Sequence, residues 1–174
     1  NGCPKVEKMG YPSSRGVSYL FGARYIPLRK QFWDVPEKSV SEKISNVLII
    51  LGGNDIRNLT PRILRFLVKT YPQVEKIVVI GKAHQNKEEL DRIKDDQTRI
   101  MDSVDAEAMK RLMREADVAI SAGGQTIYEL ARVGVPSIGI CVAENQSPNL
   151  EAGEQEGFLR YVGSYQEDDL EAKV

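Results

Sequence analysis

The chain has 174 residues, enough for one domain with a substantial buried core, and carries 24 basic against 25 acidic side chains. That balance excludes a global positive field that would draw nucleic acid, and no apolar run is long enough to span a bilayer. Cys3 and Cys141 are too few and too far apart for a disulfide framework and form no Cys-x-x-Cys pair, which points to a reducing cytoplasm.

The sequence opens on Asn1-Gly2-Cys3-Pro4 with no initiator methionine, signal peptide or targeting pattern, and reads as the inside of a longer protein. Residues 1 to about 18 mix Gly, Pro, Ser and charge without a period, as a linker does. Tyr19-Leu20-Phe21 and Tyr25-Ile26-Pro27-Leu28-Arg29-Lys30-Gln31-Phe32-Trp33 gather most of the early aromatics into a packed lead-in segment. Residues 1–45 are therefore assigned to linker and lead-in, and residues 46–174 to the domain proper.

From residue 46 the pattern becomes regular. Val47-Leu48-Ile49-Ile50-Leu51 is a short, wholly apolar, branched run ending in Gly52-Gly53-Asn54-Asp55, the signature of a buried parallel strand. Thr60-Pro61 offers an N-cap and a first-turn proline, and Ile63, Leu64, Leu67 and Val68 follow at helical spacing. Strands are expected at Ile77–Gly81, Thr98–Met101, Val118–Ser121 and Ser137–Cys141. Helices are expected at Lys87–Ile93, around Ala106–Met113, at Thr126–Val133, stopped by Gly134-Val135-Pro136, and at Pro148–Gln155, with a partial helix within Gln166–Val174. Five strands alternating with helices predict an α/β fold: a Rossmann-like open parallel sheet with helices on both faces.

In such sheets ligands bind beyond the carboxyl ends of the strands. The best-marked site is Ser121-Ala122-Gly123-Gly124-Gln125-Thr126-Ile127-Tyr128-Glu129, which leaves a strand, turns through two glycines and enters a helix. Glycines admit a bulky anion to the backbone, and the amides and dipole of a helix start favour a phosphate. Thr126 adds a hydroxyl, and Glu129, about one turn later, can accept from ribose hydroxyls. A purely structural turn, with Thr126 as cap and Glu129 as its capping-box partner, fits the same residues.

Gly52-Gly53-Asn54-Asp55 should open on the same sheet edge, either lining the cleft or serving only as a turn before a capped helix. Asp55 is a polar contact or metal ligand at most. Asn145, Gln146 and Asn149 form a polar cluster after the last strand, suited either to sugar hydroxyls or to an ordinary turn. His84, the only histidine, reads as a solvated loop residue, and Cys141 as a small packed hydrophobe. There is no metal-ligand cluster, no phosphate loop ending in Gly-Lys-Ser/Thr and no Gly-x-Gly-x-x-Gly, so neither a metal nor a cofactor is expected.

Together, Tyr25 to Phe32, Gly52 to Asp55, Ser121 to Glu129 and Asn145-Gln146 resemble the C-terminal half of the UDP-sugar hydrolases of pseudaminic acid biosynthesis and their spore-coat polysaccharide relatives. The resemblance covers nearly all of the chain. It implies a GT-B arrangement, similar to the lipid-II-forming N-acetylglucosaminyltransferase, whose C-terminal domain holds the UDP of a sugar donor. By position, it implies that Gly123, Gly124 and Thr126 hold the diphosphate and Glu129 the ribose. Gly53, Asn54, Asp55, Asn145, Gln146 and Asn149 would lie on the sugar side, and the backbone near Ile100 and Met101 would meet uracil. Gln125 stands where the family has Ser, leaving only backbone donation there.

The resemblance also implies an N-terminal domain whose histidine loop activates water, absent from this sequence, so this chain alone should bind nucleotide weakly and catalyse little. Hydrolysis of a UDP-linked amino sugar, releasing UDP and free sugar for nonulosonic acid or surface polysaccharide synthesis, is the first functional expectation. Transfer of the sugar to an acceptor is the alternative, and a flavodoxin-like interaction module with structural glycine turns is a further one.

Overall fold

The computed structural model describes residues 10, 16–55, 57–82 and 87–174. His84 lies outside the described residues, as does most of the expected linker before Ser18. From residue 46 the chain alternates strictly: β1 (Asn46–Ile50), α1 (Leu59–Thr70), β2 (Glu75–Ile80), α2 (Lys87–Ile93), β3 (Thr98–Asp102), α3 (Ala106–Glu115), β4 (Val118–Ala122), α4 (Thr126–Val133), β5 (Ser137–Cys141), α5 (Ser147–Gln155), β6 (Arg160–Ser164) and α6 (Leu170–Lys173).

The strands form one parallel sheet in the order β3-β2-β1-β4-β5-β6. This is the doubly wound Rossmann-like arrangement that the alternating pattern predicts, with one strand more than expected. The sixth, β6, is an edge strand whose pairing with β5 shifts register between Gly139 and Cys141, and Gly163 within it has φ +103°. Arg160 and Gly163 break the apolar run, so its sequence lacks the continuous branched character of the central strands.

Alternation along the central strands sorts the core onto two faces. Val47, Ile49, Val78 and Ile80 face Leu59, Ile63, Leu64 and Leu67 of α1, Leu90 of α2 and Leu170 of α6. Leu48, Ile50, Ile77, Val79 and Ala119 face Leu112 and Met113 of α3 and Leu130 and Val133 of α4. Each fully buried Leu or Ile contributes roughly 1.5–3 kcal/mol of transfer free energy, so these stripes dominate the stability of the sheet. On the second face α5 closes against β5, where Gly139 has no room for a Cβ because Leu150 Cδ2 would lie 2.5 Å away.

Part of the lead-in segment belongs to this core: Phe32 is fully buried in the second cluster, with Val35 beside it. Trp33, by contrast, stays exposed and donates its indole N–H to the Leu28 carbonyl at 2.9 Å.

Two helix starts differ from the sequence expectation. Thr60 does not cap α1; it is the second helical residue, and Pro61 follows it inside the first turn, where its missing N–H costs nothing. The cap comes from Asp55, whose Oδ1 accepts from the Leu59 amide at 3.0 Å and Oδ2 from the Thr60 amide at 2.6 Å. Thr126 likewise opens α4 rather than capping it, and the residue at the cap position, Gln125, makes no side-chain cap bond. Its far end is closed as predicted, with Gly134 at φ +82° donating to the Leu130 and Ala131 carbonyls.

Candidate functional site

The winding reverses between β1 and β4, so the loops leaving these two strands diverge to opposite faces and open a crevice at their carboxyl ends. Two adjoining cavities of about 330 and 390 Å³ occupy it and share Ile50, Gly52 and Thr126 in their walls. Their size is that of a small-molecule site.

The first cavity is floored by the ends of β1 and β2. Gly81 approaches Gly53 so closely that a Cβ on Gly81 would lie 2.5 Å from the Gly53 carbonyl oxygen, which makes glycine obligatory there. Its side walls are Ser103, Val104 and Met109 on one flank and Gln125, Thr126, Glu129 and Arg29 on the other. Glu129 is 2% exposed, and its carboxylate is held by a forked pair of bonds: Arg29 Nε to Oε1 and Arg29 Nη2 to Oε2, each 2.7 Å. That hydrogen bonding raises the Arg29 pKa above its ordinary value, against the opposing effect of partial burial, so the guanidinium stays charged. Glu129 is thus an ion-pair partner, not the capping-box partner of Thr126.

The second cavity is lined by Asn54, Asp55, Arg57, Gly124, Val142, Ala143 and Gln146, among others. Arg57 brings a second cation to the crevice, its guanidinium 4.9 Å from the centre of the Tyr165 ring.

The turn into α4 is built from both sides. The Gly123 amide donates to Gln146 Oε1 at 3.2 Å, and the Gly123 carbonyl accepts from Asn149 Nδ2 at 3.3 Å. A Cβ at Gly123 would lie 2.6 Å from Leu150 Cγ, whereas one at Gly124 would meet open space. The Gly124 amide turns back to the Ala122 carbonyl, and the Ile127 and Tyr128 amides bond to Gly124 and Gln125 carbonyls. Among the described residues no acceptor engages the amides of Gln125 and Thr126, and both residues line the crevice. An uncapped helix start with amides unbonded among the described residues, a neighbouring open glycine and the Arg57 guanidinium can hold an anionic group such as a diphosphate.

Gly53, Asn54, Gly124, Gln125, Thr126, Glu129 and Gln146 line the crevice. Gly123, Gln146 and Asn149 brace the turn, and Gln125 directs its Nε2 to the Pro27 carbonyl at 2.8 Å. Asp55 reaches the wall, and both of its carboxylate oxygens accept from α1 amides, so in this geometry it serves as the cap of α1. Asn145 is exposed on the short turn before α5 and lines neither cavity. Ile100 and Met101 sit within β3, paired with Val78 and Val79, and the cavity wall is supplied instead by Ser103 and Val104 just beyond the strand. No group of three His, Cys, Asp or Glu side chains suited to a metal occurs among the described residues.

Sequence reasoning missed the partnership of Arg29 with Glu129, since nothing local links residues 100 positions apart. It also missed Arg57 and Gly81; the glycine directly after a strand was the one signal available for the latter.

Comparison with known proteins matches the family described as "Glycosyltransferase family 28 C-terminal domain" to residues 47–170. An uncharacterized protein of Methanocaldococcus jannaschii is 30% identical over 129 residues, covering 69% of this chain and 26% of that protein. The spore coat polysaccharide biosynthesis protein SpsG of Bacillus subtilis is 27% identical over 145 residues, covering 82% of this chain and 43% of that protein. The chain therefore spans less than half the length of these relatives. Among solved structures, the spinosyn rhamnosyltransferase SpnG complexed with thymidine diphosphate superposes with a TM-score of 0.57 at 16% identity, over 97% of this chain and 43% of that one, a likeness of fold. No helix among the described residues is long and apolar enough to cross a membrane.

Proposed function

The chain belongs to the glycosyltransferase family 28 C-terminal domain family, and on that premise we propose that it is the donor-binding half of a GT-B enzyme that transfers a sugar from a nucleoside diphosphate. The observation that carries this reading is the uncapped start of α4: Gln125 and Thr126, whose amides have no acceptor among the described residues, line a crevice bearing Arg29, Arg57 and Glu129. The diphosphate lies across Gly124, Gln125 and Thr126, and the ribose hydroxyls donate to Glu129. The base lies against Ser103, Val104 and Met109, and the sugar extends into the second cavity past Asn54 toward Gln146. UDP is the expected carrier.

Residues 46–174 form the nucleotide-sugar-binding domain in this reading, with residues 1–45 leading in from an N-terminal domain that carries the acceptor side and the reacting groups. The fold shared with SpnG bound to thymidine diphosphate supports a nucleoside diphosphate as ligand class. Hydrolysis of the same donor is the second reading. Its support is the similarity to SpsG over 82% of the chain, a protein of the group that the sequence motifs resemble.

Calorimetric titration of the 174-residue chain with UDP and thymidine diphosphate tests the binding reading. Saturable binding that Glu129→Ala weakens about tenfold, the size of one lost hydrogen bond to a carboxylate, is expected. Absence of binding by either nucleotide at millimolar concentration would sink it. In the full-length protein, UDP release that requires an added acceptor marks a transferase, and acceptor-independent release marks a hydrolase.

A further inference from the structure

A carboxylate that is 2% exposed needs a counter-charge, and Glu129 receives one from outside its own helix. The guanidinium fork occupies one acceptor position on each oxygen, so each keeps a further lone pair. Arg29 is itself fixed from several directions. On its N-terminal side the Pro27 carbonyl is held by Gln125 Nε2 at 2.8 Å; on its C-terminal side the Trp33 carbonyl is held by Arg132 Nη2 at 2.8 Å. Beneath it lies the fully buried Phe32, whose ring centre is 5.2 Å from the guanidinium carbon. Gln125, Glu129 and Arg132 lie along one stripe of α4 and its cap, so residues 27–33 run along the helix as a strap.

We infer that Arg29 is a positioning residue: it locks the Glu129 carboxylate in the orientation that reads ribose hydroxyls, so discrimination between ribo- and 2′-deoxyribonucleotides depends on the Arg29 fork. This rests on the donor-site reading above. A carboxylate released from the fork gains rotamer freedom and loses its fixed aim, while the α4 amides that face the diphosphate are untouched. Loss of Arg29 should therefore remove sugar discrimination and spare the rest of the affinity.

The test is calorimetric titration of the chain with UDP and 2′-deoxy-UDP, for wild type, Arg29→Ala, Arg29→Lys and Arg132→Ala. Wild type should bind UDP about tenfold more tightly, the worth of one charge-assisted hydrogen bond. Arg29→Ala should bring the two dissociation constants within about twofold by weakening UDP alone, and Arg29→Lys, a single-point donor without a fork, should recover part of the ratio. Arg132→Ala removes a strap tie that does not touch Glu129 and should keep the wild-type ratio. An unchanged ratio in Arg29→Ala, equal losses for both ligands, or the same collapse in Arg132→Ala would overturn the inference while leaving the donor site standing. So would a wild type that binds both ligands equally. A wild type that binds neither would bring down the donor-site reading and this inference with it.

Discussion

The two glycine turns at the crevice, Gly52-Gly53-Asn54-Asp55 and Gly123-Gly124-Gln125-Thr126, share a sequence style and a place at the end of a central strand, yet they treat the following helix in opposite ways. In the first, Asp55 turns inward and satisfies the Leu59 and Thr60 amides, so α1 begins fully bonded. In the second, the side chains that bond are spent elsewhere, Gln125 on the Pro27 carbonyl and Gln146 on the Gly123 amide, and the start of α4 is left open. Their glycines also answer different demands. Gly52 supplies a φ of +102°, whereas Gly123 supplies clearance from Leu150. A glycine pair after a strand is thus a weak sign of a ligand until the hydrogen bonds of the next helix are accounted for.

The largest effect expected comes from Gly81→Ala, which presses on the first turn from the end of β2. The new Cβ meets backbone atoms of Gly53 that cannot swing aside, so a loss of about 3 kcal/mol or more in urea unfolding is expected. Gly123→Ala follows, at about 1–3 kcal/mol, because the obstructing atoms belong to the Leu150 and Gln146 side chains, which can shift in part. Asp55→Ala should cost about 1–2 kcal/mol of stability as a lost cap, with nucleotide affinity changed less than twofold; a large affinity loss at unchanged stability would instead make Asp55 a ligand contact and erase the contrast between the turns. Gly124→Ala is the mildest for the fold. Its Cβ meets nothing and its φ is not left-handed, so stability should hold or rise by up to about 1 kcal/mol through the unfolded state, while UDP affinity falls because the methyl group intrudes on the open turn.

The central elements were legible in the sequence because burial on both faces forces continuous branched runs, as in Val47 to Leu51, and because Gly134-Val135-Pro136 can only end a helix. The edge strand β6 was not, since a strand paired on one side tolerates Arg160 and Gly163. At the site, the glycine turn and Glu129 were readable from spacing and resemblance. What the carboxylate does was not, because its partner arrives from the lead-in segment through tertiary packing of Phe32. The Asp55 cap was hidden for a related reason: Thr60-Pro61 offered the commoner capping pattern, while the actual cap reaches over Asn58 in a left-handed conformation. The uracil contact expected near Ile100 and Met101 falls on residues within β3, whereas the residues of this segment that wall the cavity are Ser103 and Val104, just beyond the strand.

The bulged outer strand β6 also bears on how the molecule behaves in a crowded solution. An open parallel sheet has two outer edges, each a ready template for pairing with another chain. Here the β6 edge is kinked by its register shift and by Gly163, and carries an exposed Arg160. The β3 edge carries exposed Arg99 and Asp102, paired with Glu75 and Lys87. A second sheet would have to straighten one edge, or desolvate charge at the other, before it could join. The irregularity that hid β6 in the sequence is the same one that guards its edge against self-association.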